Sequence, residues 1–335
     1  MEVTISTADA VEQFLRMADT KVETGQIRPA TAKQYRQYLP RLVALQTMAG
    51  WTLGDAQYAE ITKAEVASVL HAFAQSPGIA RKGRRLDDGT REVVASGLPA
   101  AQTIRNARST LGSFFAELDL ALGIDRPNPA HGIDLRRVIG RRPTKEPTAL
   151  TTEEVESLIA AMSEAYRPLV TLICDTGMRS AEARGLRWVD VSTDTICVQG
   201  QADDHGGYVE VGKTNHSLRE IPLTKRAKAA LAEQFKLTGD GEFVFATRSG
   251  GTGTNANLWR AVRRGCDRAG IPPVGVHDLR HTFGMLAVER GMPIPVLSKL
   301  MGHSDPGFTA SRYLRAEIDL AAKRRAMDAA FGGEA

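Results

Sequence analysis

Apolar residues in the first third of the chain recur at intervals of three and four. Val11, Phe14, Leu15 and Ala18 form one stripe, and Tyr35, Tyr38, Leu39, Leu42, Val43 and Leu45 form another. A period near 3.6 places each set on one face of a helix, so residues 8–74 are predicted to form several amphipathic helices. Thr62, with Glu65 three residues on, makes a capping-box pattern ahead of Val66, Val69, Leu70 and Phe73, and Pro77-Gly78 ends that helix. The same spacing returns between Pro99 and Leu122 through Ile104, Ala107, Leu111, Phe114, Phe115 and Leu118. Pro127-Asn128-Pro129 stops it, because proline has no amide hydrogen to continue a helix.

The second part opens with Leu150-Thr-Thr-Glu-Glu-Val-Glu, where Thr151 or Thr152 can cap a helix and the acids suit its positive end. Helices continue to about Leu186, and then the pattern changes. Residues 195–198, 208–211 and 218–223 are short, rich in β-branched side chains and separated by Gly, Asp and Asn, which predicts a small antiparallel sheet. Helix resumes at Lys225 and covers 256–269 and 278–290, with a short turn at 297–301 and two final pieces around Tyr313 and Met327. The expected fold class is mainly α with a small antiparallel β-sheet, that is, α+β.

Composition narrows this further. A length of 335 residues suits two domains, and 42% hydrophobic with 24% charged residues is too apolar for a disordered chain. No stretch approaches the roughly 20 apolar residues of a membrane span, and residues 1–10 lack the basic and apolar regions of a signal peptide. The expectation is a cytoplasmic protein with no membrane partner. Cys174, Cys197 and Cys266 are far apart, with no C-x-x-C pair, which argues against a disulfide framework or a thiolate metal site.

Charge is unevenly spread. Of a net +4, the whole excess lies in residues 1–147, which hold 20 basic and 16 acidic side chains, against 23 of each in the remainder. It is densest in residues 135–145, where Arg136, Arg137, Arg141, Arg142 and Lys145 occur without an acid. This stretch reads as an interdomain linker of residues 135–147, between a helical domain of 1–134 and a second domain of 148–335. A basic strap on a near-neutral body is what phosphate-backbone contact requires, although linkers are also Arg-rich simply to stay solvated. A second basic run, Arg81 to Arg85, reads as a solvated loop or hairpin.

Two motifs mislead. Gly207 to Thr214 fits the phosphate-loop pattern G-x-x-x-x-G-K-[ST], but its interior alternates like a strand and another strand follows, where a phosphate loop requires a helix. A β-hairpin with Lys213 at its turn is the better reading. His277 and His281 have the i, i+4 spacing of zinc ligands, yet Asp278 stands where a zinc protease needs Glu and Arg280 would oppose the metal.

Thr176-Gly-Met-Arg-Ser-Ala-Glu-Ala-Arg-Gly-Leu-Arg-Trp188 resembles the first signature of the tyrosine recombinase (phage integrase) family, and His277-Asp-Leu-Arg-His-Thr-Phe283 resembles the second. Leu300-Met-Gly-His-Ser-Asp305 and Thr309-Ala-Ser-Arg-Tyr313 complete the order, and residues 27–35 with Asn128-Pro129 are similar to the family's helical, SAM-like core-binding domain. The resemblance implies Arg179 and Arg280 as the arginine pair, Lys213 as the hairpin lysine, His277 and His303 as the two histidine positions, Tyr313 as nucleophile and Glu182 as an acidic support. For the lysine role Arg219 and Lys225 stay open as alternatives.

Such a set suits exchange of a DNA phosphodiester. A tyrosine attacks phosphorus, arginine forks hold non-bridging oxygens, an imidazole moves a proton, and a lysine protonates the leaving 5′-oxygen. The phosphotyrosyl link keeps the bond energy for religation, so neither metal nor ATP is called for, and no cofactor is expected. The resemblance further implies a C-shaped clamp on double-stranded DNA, with the basic linker crossing the backbone, and a homo-tetramer on paired sites. Accessory directionality or DNA-bending proteins are compatible with it, as is a bacterial or phage origin with work on the nucleoid. The enzymatic reading is a site-specific recombinase or integrase. Its alternatives are a catalytically silent DNA-binding regulator on the same fold and topoisomerase-like relaxation of DNA.

Overall fold

The computed structural model describes residues 4–47, 49–85, 91–140, 148–203, 206–210, 218–303, 307 and 309–310, with backbone alone at 78–85 and 91–96. It divides into two compact units, Met1–Lys145 and Glu146–Ala335.

In the first unit, helices α1 (Thr7–Glu23), α2 (Pro29–Val43) and α3 (Lys63–Gln75) follow the apolar stripes, and α4 (Ala101–Leu122) ends on Gly123, whose φ of 68° suits a residue without Cβ. Thr62 and Glu65 form the capping box that starts α3. Phe14, Leu39, Leu42, Leu70, Phe73, Leu111, Phe114 and Phe115 close over one another to exclude water. Between α3 and α4 an antiparallel hairpin pairs β1 (Gly78–Arg85) with β2 (Arg91–Ser96).

One polar cluster lies inside this core. The Tyr58 hydroxyl donates to Asp119 Oδ1 at 2.7 Å, and Arg126 reaches both Asp119 oxygens at 3.0 Å while also donating to the carbonyls of Tyr58 and Ala59. Burial and the bond to Asp119 push the Tyr58 phenol well above its ordinary range.

The stretch expected to be linker begins with structure. Leu135–Ile139 is a short helix, α5, started by the Asp134 side chain accepting from the Arg136 amide, and Leu135, Val138 and Ile139 pack on the first core. Its apolar positions are spaced so that three meet the core, while Arg136 and Arg137 stay exposed.

The second unit is built around α7 (Arg167–Thr176), whose Leu169, Val170, Leu172 and Ile173 are buried. Packed on it are α6 (Thr152–Ala161), opened by a Thr151–Glu154 capping box, and the short α8 (Ser180–Arg184). Strands β3 (Thr195–Val198), β4 (Gly200–Ala202), β5 (Tyr208–Glu210) and β6 (Arg219–Pro222) make two antiparallel ladders, β3 with β6 and β4 with β5, rather than one sheet. Helices α9 (Lys225–Thr238), α10 (Asn255–Ala269) and α11 (Val276–Glu289) complete the core, with α9 and α11 lying against α7. The turn expected at 297–301 is a full helix, α12 (Ile294–Met301): Pro295 suits its first turn and Gly302, at φ 64°, its end. Among the described residues, no helix is long and apolar enough to cross a membrane.

Candidate active site

Arg179 owes its place to a glycine. Helix α7 ends at Gly177 with φ 63°, and a Cβ there would fall 2.4 Å from the Phe283 ring, so both backbone conformation and packing demand glycine. The chain reverses and Arg179 becomes the N-cap of α8. Glu182, one turn on and 4% exposed, accepts the Arg179 amide at 2.8 Å and its Nη1 at 2.7 Å. The helix start and the side chain are thus fixed by one carboxylate.

Arg280 arrives from α11. That helix is started by Asp278, which accepts the Gly275 amide at 2.8 Å, so the residue standing where a zinc protease carries Glu serves as a cap. Arg280 is 3% exposed, with Nη1 2.6 Å from the Gly177 carbonyl and Nη2 2.7 Å from that of Met301. Arg179 Nη2 donates to the next carbonyl, Gly302, at 2.7 Å. The two arginines therefore meet at the C-terminal end of α12, where unpaired carbonyls and the negative end of the dipole favour cations.

His303 follows directly. Its amide donates to the Ser298 carbonyl at 3.0 Å, and its Nδ1 lies 2.7 Å from the hydroxyl of Thr309, which is fully buried. His277 stands in the first turn of α11, exposed, three residues from Arg280, whereas His281 is buried one turn further.

A third arginine completes the arrangement. Arg219 on β6 gives Nη2 to Glu182 Oε2 at 2.7 Å, Nη1 to Oε1 at 3.2 Å and Nε to the Leu300 carbonyl at 2.7 Å. Burial pushes the Glu182 carboxyl up, but the bonds and charges of Arg219 and then Arg179 outweigh it and hold the group below its ordinary value. Glu182 is an anion shared by two cations. A neighbouring cavity of about 880 Å³, lined in part by Cys174, Arg226, Phe283 and Arg290, is bordered by neither Arg179 nor Arg280.

Residues 148–318 match the model of the phage integrase family. The chain is 31% identical over 221 residues to a tyrosine recombinase of Thermosipho africanus, covering 64% of this chain and 72% of that one. The chain belongs to the phage integrase family. A XerC-like tyrosine recombinase of Caldanaerobacter subterraneus is 26% identical over 247 residues, and there the match spans 64% of this chain and 62% of the relative's length. Among solved structures, the Tn1549 transposon integrase in complex with a circular intermediate DNA superposes with a TM-score of 0.72 at 18% identity, covering 98% of this chain and all of that one, a likeness of fold.

Within that family frame, the structure brings Arg179, Glu182, Arg280 and His303 to one end of α12, with His277 on the helix that carries Arg280. Lys213 and Tyr313 lie outside the described residues, as do Arg141, Arg142 and Lys145. Arg219, open in the sequence as an alternative to Lys213, is buried and bonded to Glu182, which leaves no free reach for a proton donor. Lys225 sits at the start of α9 beside Arg226, which pairs with Asp175 and Glu156. The role of Arg219 against Glu182 has no sequence signal, because the two are 37 positions apart.

Proposed function

We propose that the chain cuts and rejoins double-stranded DNA at specific sites through a 3′-phosphotyrosyl link on Tyr313. The observation that carries this reading is the convergence of Arg179 and Arg280 on adjacent carbonyls, Gly302 and Met301, one residue before His303. Each guanidinium holds five N–H donors. Arg179 spends Nη1 on Glu182 and Nη2 on Gly302, and its side chain stays 42% exposed, with the planar donor set that suits non-bridging phosphate oxygens.

In this reading Tyr313 attacks phosphorus and the 5′-oxygen leaves with a proton from Lys213. His277 takes the phenolic proton, His303 donates a hydrogen bond to the phosphoryl group, and Glu182 orients Arg179. Religation reverses the step with a 5′-hydroxyl as nucleophile, so the energy of the broken bond is kept and neither metal nor ATP enters the balance. Exposed Arg136 and Arg137, with Arg141, Arg142 and Lys145, supply phosphate-backbone contacts whose contribution falls with salt. The domain reading of a helical DNA-binding part, a basic connection and a catalytic part, four protomers on paired sites, and work at the bacterial nucleoid belong to the same proposal, supported by family membership.

The test is a nicked suicide duplex built from DNA flanking the gene, incubated in EDTA without ATP and resolved on a denaturing gel. A covalent protein–DNA band that disappears in Tyr313→Phe, with salt-sensitive binding intact, is the expected result. A band that persists in that variant sinks the assignment.

A further inference from the structure

Three consecutive carbonyls at the end of α12 each accept from a different guanidinium. Leu300 takes Nε of Arg219, Met301 takes Nη2 of Arg280, and Gly302 takes Nη2 of Arg179, each at 2.7 Å. A helix leaves its last carbonyls without internal partners, so this end is a ready acceptor for three cations. Two of those cations belong to the proposed phosphate clamp. The third, Arg219, differs in its partner: it shares the Glu182 carboxylate with Arg179, and its side chain is 7% exposed where that of Arg179 is 42% exposed.

We infer that Arg219 is a positioning residue, which sets the phosphate-binding geometry of Arg179 through Glu182 and the end of α12 while making no contact with DNA itself. The inference rests on the reading of Arg179 as part of the clamp. Its mechanics follow from valence. Glu182 has two oxygens, and each is shared between Arg219 and a donor from Arg179, the amide on one and Nη1 on the other. Without Arg219 the buried carboxylate has only Arg179 to neutralise it. It then draws that guanidinium inward, away from where a phosphate would sit. Arg219 also fixes the other support of Arg179, since Leu300 and Gly302 lie on one turn.

Gly302 reports the closeness of this packing. Its φ is 64°, and a Cβ would lie 2.9 Å from Arg219 Nη1 and 3.1 Å from Cζ. The glycine before His303 is therefore required by the helix end and by the guanidinium packed on it.

The test compares wild type, Arg219→Lys, Arg219→Gln, Glu182→Gln and the double Gln variant on nicked suicide duplexes tiled across the DNA flanking the gene. Single-turnover covalent-complex formation at saturating protein and Kd on the same duplex are both measured. Arg219→Gln should slow the covalent step by about 30- to 100-fold with Kd within about threefold, as expected for a misplaced but present catalytic group. Arg219→Lys, which restores a cation opposite Glu182, should recover about tenfold of that loss. The double variant should be no slower than the slower single one, because both act through one link.

Wild-type rates in Arg219→Gln, or losses that add in the double variant with no rescue by lysine, would overturn the inference and leave Arg219 a brace of the fold. If Arg219→Gln does not fold, Arg219→Lys decides: slowed chemistry at unchanged Kd supports the inference, and wild-type chemistry overturns it. Failure of the wild-type protein to form any covalent complex on the tiled duplexes is a different outcome, and it overturns the recombinase reading together with this one.

Discussion

Arg280 donates from α11 to the carbonyl of Gly177 at 2.6 Å, which ties the second arginine to the turn that presents the first. The position of Arg179 thus depends on a bond 103 residues away in sequence. Arg280→Lys tests what that bond contributes. Lysine has one tip and cannot reach Gly177 and Met301 together while offering a fork to phosphate. Covalent-complex formation should fall by at least about 100-fold. Loss of donors to two buried carbonyls should also lower stability by roughly 1–3 kcal/mol in a urea melt. Unchanged chemistry would remove Arg280 from the clamp.

Gly177→Ala addresses the same turn from the other side. A left-handed conformation costs a residue with Cβ about 1–2 kcal/mol, and the new methyl would sit 2.4 Å from Phe283 Cδ1. The expected loss is about 2–4 kcal/mol by denaturant titration. Phe283→Leu in the same chain should return the packing part and leave the conformational part. If the pair restores stability fully, backbone strain at Gly177 contributes nothing.

What could be read from the sequence was local. The capping boxes at Thr62 and Thr151 and the Arg179–Glu182 pair span three residues, a distance over which spacing fixes geometry. The two arginines and His303 stand in contiguous motifs, but their meeting at one helix end is invisible in the sequence, since Gly177, Arg280 and Met301 come together only in the folded chain. Arg219 shows the limit most clearly. A strand residue reads as half-exposed, and only the closure of β6 against Glu182 and α12 makes it a buried partner. In the sequence α12 reads as no more than a turn, because eight residues give barely two helical repeats. The Tyr58–Asp119–Arg126 cluster is hidden for the same reason as Arg219: its members lie in different segments.

Glu182 should leave a signature in the acid limb of stability. Its folded value is depressed below the ordinary 4.5. The stabilisation it brings is therefore fully present above that value and is lost as pH falls through the folded one. Glu182→Gln leaves the buried Arg219 and the partly exposed Arg179 without their shared anion and should cost about 3 kcal/mol at pH 7. The gap between variant and wild type, measured by urea melts, should stay constant from pH 8 to about 5 and shrink below about 4. A gap that widens on acidification would mean that Glu182 is neutral in the folded protein.

The cysteines give a check on the nucleophile. Cys266 is fully buried in the second core, and burial, reinforced by the neighbouring Asp175 charge, pushes the Cys174 thiol up to about 12. A thiol that far above solution pH carries almost no thiolate, the reactive form. Cys197, on β3, is half-buried and should be the one that iodoacetamide labels in the native protein at pH 8, with all three labelled after denaturation. Mass spectrometry of tryptic peptides separates the sites. Because Cys197 is paired with Glu220, and so stands on the opposite face of the β3–β6 ladder from Arg219, full alkylation there should leave covalent-complex formation unchanged. A block of DNA linkage by labelling at Cys197 would instead place that strand within reach of the DNA, whereas native labelling of Cys174 would mean that α7 opens in solution.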